Sequence, residues 1–124
     1  MKNYNYSGVF MEKEAEEILI NIQNQNQNLQ NIMIQKQALE IQLREIESAL
    51  EELEKAKDDV FKAVGPILIK STKEELKKEL EEGKEDINLN IKALERQEKK
   101  IKEIIKENQE KFQKFLPKPK DKDR

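Results

Sequence analysis

The sequence contains no cysteine and no histidine, which excludes thiolate nucleophiles, disulfides, Cys-x-x-Cys metal sites and imidazole ligands together. Tryptophan is also missing, and two Tyr and four Phe are the whole aromatic complement. Stabilising area must therefore come from many small contacts along a seam, because no central aromatic cluster is available. Gly65 and Gly83 stand isolated, so there is no glycine-rich loop to cradle a phosphate. No apolar run approaches the roughly 20 residues needed to cross a bilayer. The start, Met1 to Gly8, lacks the apolar region of a signal peptide, so a soluble cytoplasmic protein is expected. With 24 basic residues against 26 acidic ones, there is no strong field to steer the chain toward nucleic acid or an anionic membrane.

What is present is a composition of 35% apolar and 40% charged residues, characteristic of coiled coils rather than of thick globular cores. From Met11, positions spaced alternately by four and three residues are Ala15, Ile18, Ile22, Gln25, Leu29, Ile32, Lys36, Leu39, Leu43, Ile46, Leu50, Leu53, Lys57 and Val60. An average spacing of 3.5 residues held for about seven heptads predicts a supercoiled helical seam. A second stripe runs through Leu76, Leu80, Lys84, Ile87, Ile91, Leu94, Glu98, Ile101, Ile105, Asn108, Phe112 and Phe115. Acid-first pairs at i,i+4, such as Glu95 with Lys99 and Glu98 with Lys102, read as a solvated helix face. Ser71 or Thr72 with Glu74 or Glu75 three residues on provides the capping signal for the second helix, and Pro117 sets its end. One domain over 1–124 is expected, with helix 1 at about 12–57, a strand insert at about 58–71, helix 2 at about 73–116 and a charged, disordered tail at 117–124. Helices of matched length, on the order of 65 Å each, can fold back on one another.

The insert, Val60-Phe61-Lys62-Ala63-Val64-Gly65-Pro66-Ile67-Leu68-Ile69-Lys70, departs from helical grammar, with β-branched and aromatic residues flanking a turn dipeptide. A loose loop would be more polar than this. As strands the segment carries apolar side chains on both faces, and a lone two-stranded ribbon with open edges is marginal in water. Val60, Phe61, Val64, Gly65, Ile67, Leu68 and Ile69 are therefore the expected assembly residues, through which several chains complete one another's sheet. Between residues 21 and 31 the helix is dominated by Asn and Gln, yet Ile22 and Leu29 keep the heptad, which favours a polar, weakly packed coil over a prion-like tract.

The segments Gln35-Lys36-Gln37-Ala38-Leu39-Glu40, Arg44-Glu45-Ile46-Glu47 and Ala49-Leu50-Glu51-Glu52-Leu53, followed by Val60 to Gly65 and Ile67 to Lys70, resemble the beta-type subunit of archaeal prefoldin. Leu94-Glu95-Arg96-Gln97-Glu98 resembles its second helix. Pro66 after the glycine departs from the family pattern. The resemblance implies a mainly α fold: a long antiparallel two-helix coiled coil whose central β-hairpin joins an oligomeric β-barrel. It implies an ATP-independent cytoplasmic chaperone subunit, neither enzyme nor cofactor-dependent, that holds unfolded clients at the coil tips and delivers them to a chaperonin. The implied partners are an alpha-type subunit and further beta copies, two alpha and four beta in a hexamer. At the tips the candidates for client contact are Val9, Phe10, Met11, Phe112, Phe115 and Leu116, the plainer alternative being that Phe112 and Phe115 only close the seam. A structural coiled-coil adaptor, using the insert as a hinge, is the competing reading; client binding and subunit stoichiometry separate the two.

Overall fold

A computed structural model describes residues 12–116. Its order is helix α1 (Lys13–Lys55), strand β1 (Val60–Val64), strand β2 (Ile67–Ser71) and helix α2 (Lys73–Gln113). The expected helix–hairpin–helix order is present, with helix ends shifted by a few residues. At the C-terminus of α1 the Ala56 N–H reaches back three residues to the Leu53 carbonyl at 3.2 Å, so the last turn tightens and the helix stops before Lys57. Lys57 is accordingly exposed, whereas every other described position of the first stripe is buried or half-buried. Beyond Gln113 the N–H groups of Lys114, Phe115 and Leu116 likewise bond three residues back, at 2.9–3.2 Å. Pro117 disfavours α geometry at the residue before it, which accounts for α2 ending short of 116.

The chain divides into two compact units, Met33–Arg96 and a second composed of Met1–Ile32 with Gln97–Arg124. In the first, cross-helix pairs run in opposite numerical directions: Lys36 with Glu95 at 3.7 Å, Lys84 with Glu47 at 3.6 Å and Lys77 with Glu54 at 3.4 Å. That order of partners makes α1 and α2 antiparallel there. Leu53, Ile87, Ile91 and Leu94 are its buried core, and all four are stripe positions. In the second unit Ala15, Ile22, Ile32 and Ile105 are buried, again on the stripes. The Asn/Gln tract is helical throughout, with Ile22 buried and Leu29 half-buried, as a polar coil requires. Asn108, a polar break in the second stripe, donates from Nδ2 to Asn21 Oδ1 at 3.1 Å and so satisfies a polar group in the seam.

The start of α2 is fixed by Thr72. Its hydroxyl accepts from the Glu75 N–H at 3.0 Å and donates to the Glu75 carboxylate at 3.1 Å, selecting Thr72 and Glu75 from the capping pairs the sequence offered.

Candidate functional site

Strands β1 and β2 form an antiparallel hairpin in which Val64 opposes Ile67, leaving Gly65 and Pro66 as a two-residue turn. Gly65 has φ +58°, a left-handed value that L side chains adopt at a cost, while Pro66 locks the second turn residue at negative φ. Positive then negative is the sign pattern of a II′ turn, whose twist suits a hairpin. Pro66 is tolerated because the turn position does not need its missing N–H for the ladder.

Opposed residues in an antiparallel pair share a face. One face therefore carries Val60, Lys62, Val64, Ile67, Ile69 and Ser71, and the other Phe61, Ala63, Leu68 and Lys70. Both faces are open in the single chain: Phe61, Val64, Ile67, Leu68 and Ile69 are 48–69% exposed. Val60 is half-buried, since it and Phe61 lie along an apolar groove of about 400 Å³ formed with Ala49, Leu53, Ala56, Leu76 and Leu80. The hairpin is thus rooted at its base and uncovered along its length.

Polar contacts hold that base. Lys73 Nζ donates to the carbonyls of Glu54 at 3.0 Å and Ala56 at 3.2 Å, placing a cation on the electronegative C-terminus of α1. On the strands, Lys62 pairs with Glu79 of α2 at 2.9 Å and Lys70 with Asp59 at 3.5 Å. The sequence did not signal these contacts: Lys73 with the end of α1 and Lys62 with Glu79 join different elements that meet only in the folded chain, while Lys70 and Asp59 meet only through the register of the hairpin. Among the described residues no group of acidic side chains is arranged to hold a metal ion, and no helix is long and apolar enough to cross a membrane.

At the C-terminal end of α2, Phe112 and Phe115 are half-buried and Leu116 is 50% exposed. The two phenylalanines are therefore partly covered within the fold, whereas Leu116 is open. Val9, Phe10 and Met11 lie outside the described residues.

The family model for prefoldin subunits matches residues 16–118. The chain belongs to the prefoldin subunit family. Among curated prefoldins it is 50% identical over 54 residues to the prefoldin subunit beta of Archaeoglobus fulgidus and 45% identical over 56 residues to that of Pyrococcus furiosus. In these matches the chain spans about half the length of the relatives, 47% and 48% respectively. The crystal structure of the prefoldin beta subunit from Thermococcus strain KS-1 superposes with a TM-score of 0.82 at 34% identity, covering 88% of this chain and 97% of that one. The prefoldin beta2 subunit of the same strain, at 24% identity and a TM-score of 0.65, shares the fold, with 72% of this chain and 97% of that one covered. Two long helices joined by a single hairpin are thus the prefoldin beta arrangement, as the sequence resemblance implied.

Proposed function

We propose that this prefoldin chain is a subunit of an ATP-independent chaperone, built into a hetero-oligomer through its hairpin and holding unfolded proteins for transfer to a chaperonin. The observation that carries the reading is the hairpin itself: five large apolar side chains exposed on both faces of a ribbon that pairs with no other strand among the described residues. Such a ribbon is stabilised when further strands cover its edges and faces. The assembly proposed is a hexamer of two alpha-type and four beta-type subunits with a barrel made from their strands, a reading that membership of the family supports. Clients are then held by apolar side chains at the coil ends, with Leu116 the most exposed described candidate beside Phe112 and Phe115, and Val9, Phe10 and Met11 from the other terminus. The complex works in the cytoplasm.

The test is to co-express the chain with a prefoldin alpha-type subunit, measure the mass of the complex by light scattering, and titrate it against an aggregating denatured protein. A hexameric mass with aggregation suppressed without nucleotide supports the proposal. A complex that assembles but protects no client favours the adaptor reading, and a chain that stays monomeric overturns the assembly role.

A further inference from the structure

We infer that Glu79 is the positioning residue of the hairpin: it carries the counter-charge of Lys62 into the assembled sheet and fixes β1 against α2. The inference rests on the assembly role proposed for the hairpin. Lys62 and Lys70 are the two charged residues of the strands, and each already has its carboxylate partner in the single chain, Glu79 at 2.9 Å and Asp59 at 3.5 Å. The two pairs differ in what they join. Asp59 belongs to the link immediately before β1, so its pair with Lys70 closes the hairpin's own base. Glu79 belongs to α2, so its pair with Lys62 joins strand to helix.

Lys62 also lies on the face that carries Val60, Val64, Ile67 and Ile69. Covering that face with a neighbouring subunit would strand an unpaired ammonium group among apolar side chains, whereas a pre-formed ion pair enters the interface electrically balanced. In the single chain the pair is half-exposed, 46% for Lys62 and 50% for Glu79, so water screens it and it contributes little to the fold. Its effect arises on assembly. The clamp of Lys73 on the α1 carbonyls and the Lys77–Glu54 pair hold the helix ends from which the ribbon springs, and Lys62–Glu79 adds an ionic link from strand to helix.

The experiment compares four chains, each co-expressed with a prefoldin alpha-type subunit: wild type, Glu79→Gln, Glu82→Gln, and the charge-swapped double variant Lys62→Glu with Glu79→Lys. Glu82→Gln removes the same charge from the same helix without touching Lys62. Assembly is read by the concentration at which the complex dissociates, with helical circular dichroism of each chain alone as the folding control. The expected result is unchanged helicity in all four, dissociation at about tenfold higher concentration for Glu79→Gln, wild-type behaviour for Glu82→Gln, and recovery to within about threefold for the double variant. Equal behaviour of Glu79→Gln and Glu82→Gln overturns the inference while leaving the assembly role intact. A weakened Glu79→Gln that the charge swap does not rescue overturns it too. A wild-type chain that fails to assemble overturns the assembly role, and the inference with it.

Discussion

Gly83 illustrates how a single residue is read differently once its neighbours are known. In the sequence it is an isolated helix-weakening glycine; in the structure a Cβ at that position would meet Ile46 Cδ1 at 3.4 Å, so it faces the partner helix. Because the contact is with the flexible end of a side chain at ordinary van der Waals distance, the backbone gain from Gly83→Ala should prevail. Thermal denaturation is expected to show stabilisation of about 0.5–1 kcal/mol, and a loss would mean that Ile46 cannot yield. Gly65→Ala should do the reverse. Space is open around it, but its φ of +58° imposes about 1–2 kcal/mol of backbone strain on an L residue, seen as a lowered denaturation midpoint of the assembled protein. Lys73→Met removes the cation from the end of α1 and should cost about 0.5–1 kcal/mol, with Lys73→Arg recovering most of it.

At the scale of elements, the helices and the hairpin draw their stability from different sources. The stripes bury their apolar positions within the chain, as Ile87, Ile91 and Leu94 do on α2, so α1 and α2 hold their structure through contacts this chain makes for itself. Strand β2 leaves Ile67, Leu68 and Ile69 exposed, without cover from the described residues of this chain. Changing Ile67 and Ile69 together to Asp should therefore leave helical circular dichroism nearly intact while dissociating the complex, since two carboxylates buried unpaired in a sheet cost several kcal/mol. A complex of unchanged mass after this double change would show that the hairpin is not the assembly element. Strand and turn were legible beforehand: Gly65-Pro66 between β-branched runs has few other uses. The helix ends were less so, because Ala56 and Lys114 tighten into three-residue hydrogen bonds whose formation depends on the chain path C-terminal to them.

For the whole molecule, the expected activity is passive. With no phosphate loop in the sequence and no metal-binding group among the described residues, protection of a denatured client should be the same with and without ATP, and calorimetry should give no micromolar nucleotide binding. Replacing Phe10, Met11, Phe112, Phe115 and Leu116 by Ser should leave the complex's mass unchanged and abolish suppression of aggregation. Each apolar side chain contributes about 1.5–3 kcal/mol when fully buried, so even partial burial against a client is a large share of a weak affinity. The half-buried state of Phe112 and Phe115 adds a second readout: their loss should also lower the thermal midpoint modestly, whereas Leu116→Ser alone should reduce client protection without that shift. Retained protection in the fivefold Ser variant would move the client surface to another part of the coil.

The two seams, the intervening hairpin and its turn were legible in the linear chain, because heptad spacing, a Gly-Pro dipeptide and β-branched flanks are local signals that survive without knowledge of neighbours. Residues 35–70, with Leu94 to Glu98 in the second helix, also pointed to the family. Which polar groups meet was settled only by the folded chain. Asn21 and Asn108 lie 87 positions apart, and Lys73 finds the carbonyl of Glu54 across 19, so no short-range pattern connects them. Folding back also leaves the hairpin's apolar side chains exposed along most of its length while its two lysines are already paired. Exposure and pairing are properties of surfaces brought together by chain reversal, and a linear pattern carries apolar character without saying which apolar groups their own chain will cover.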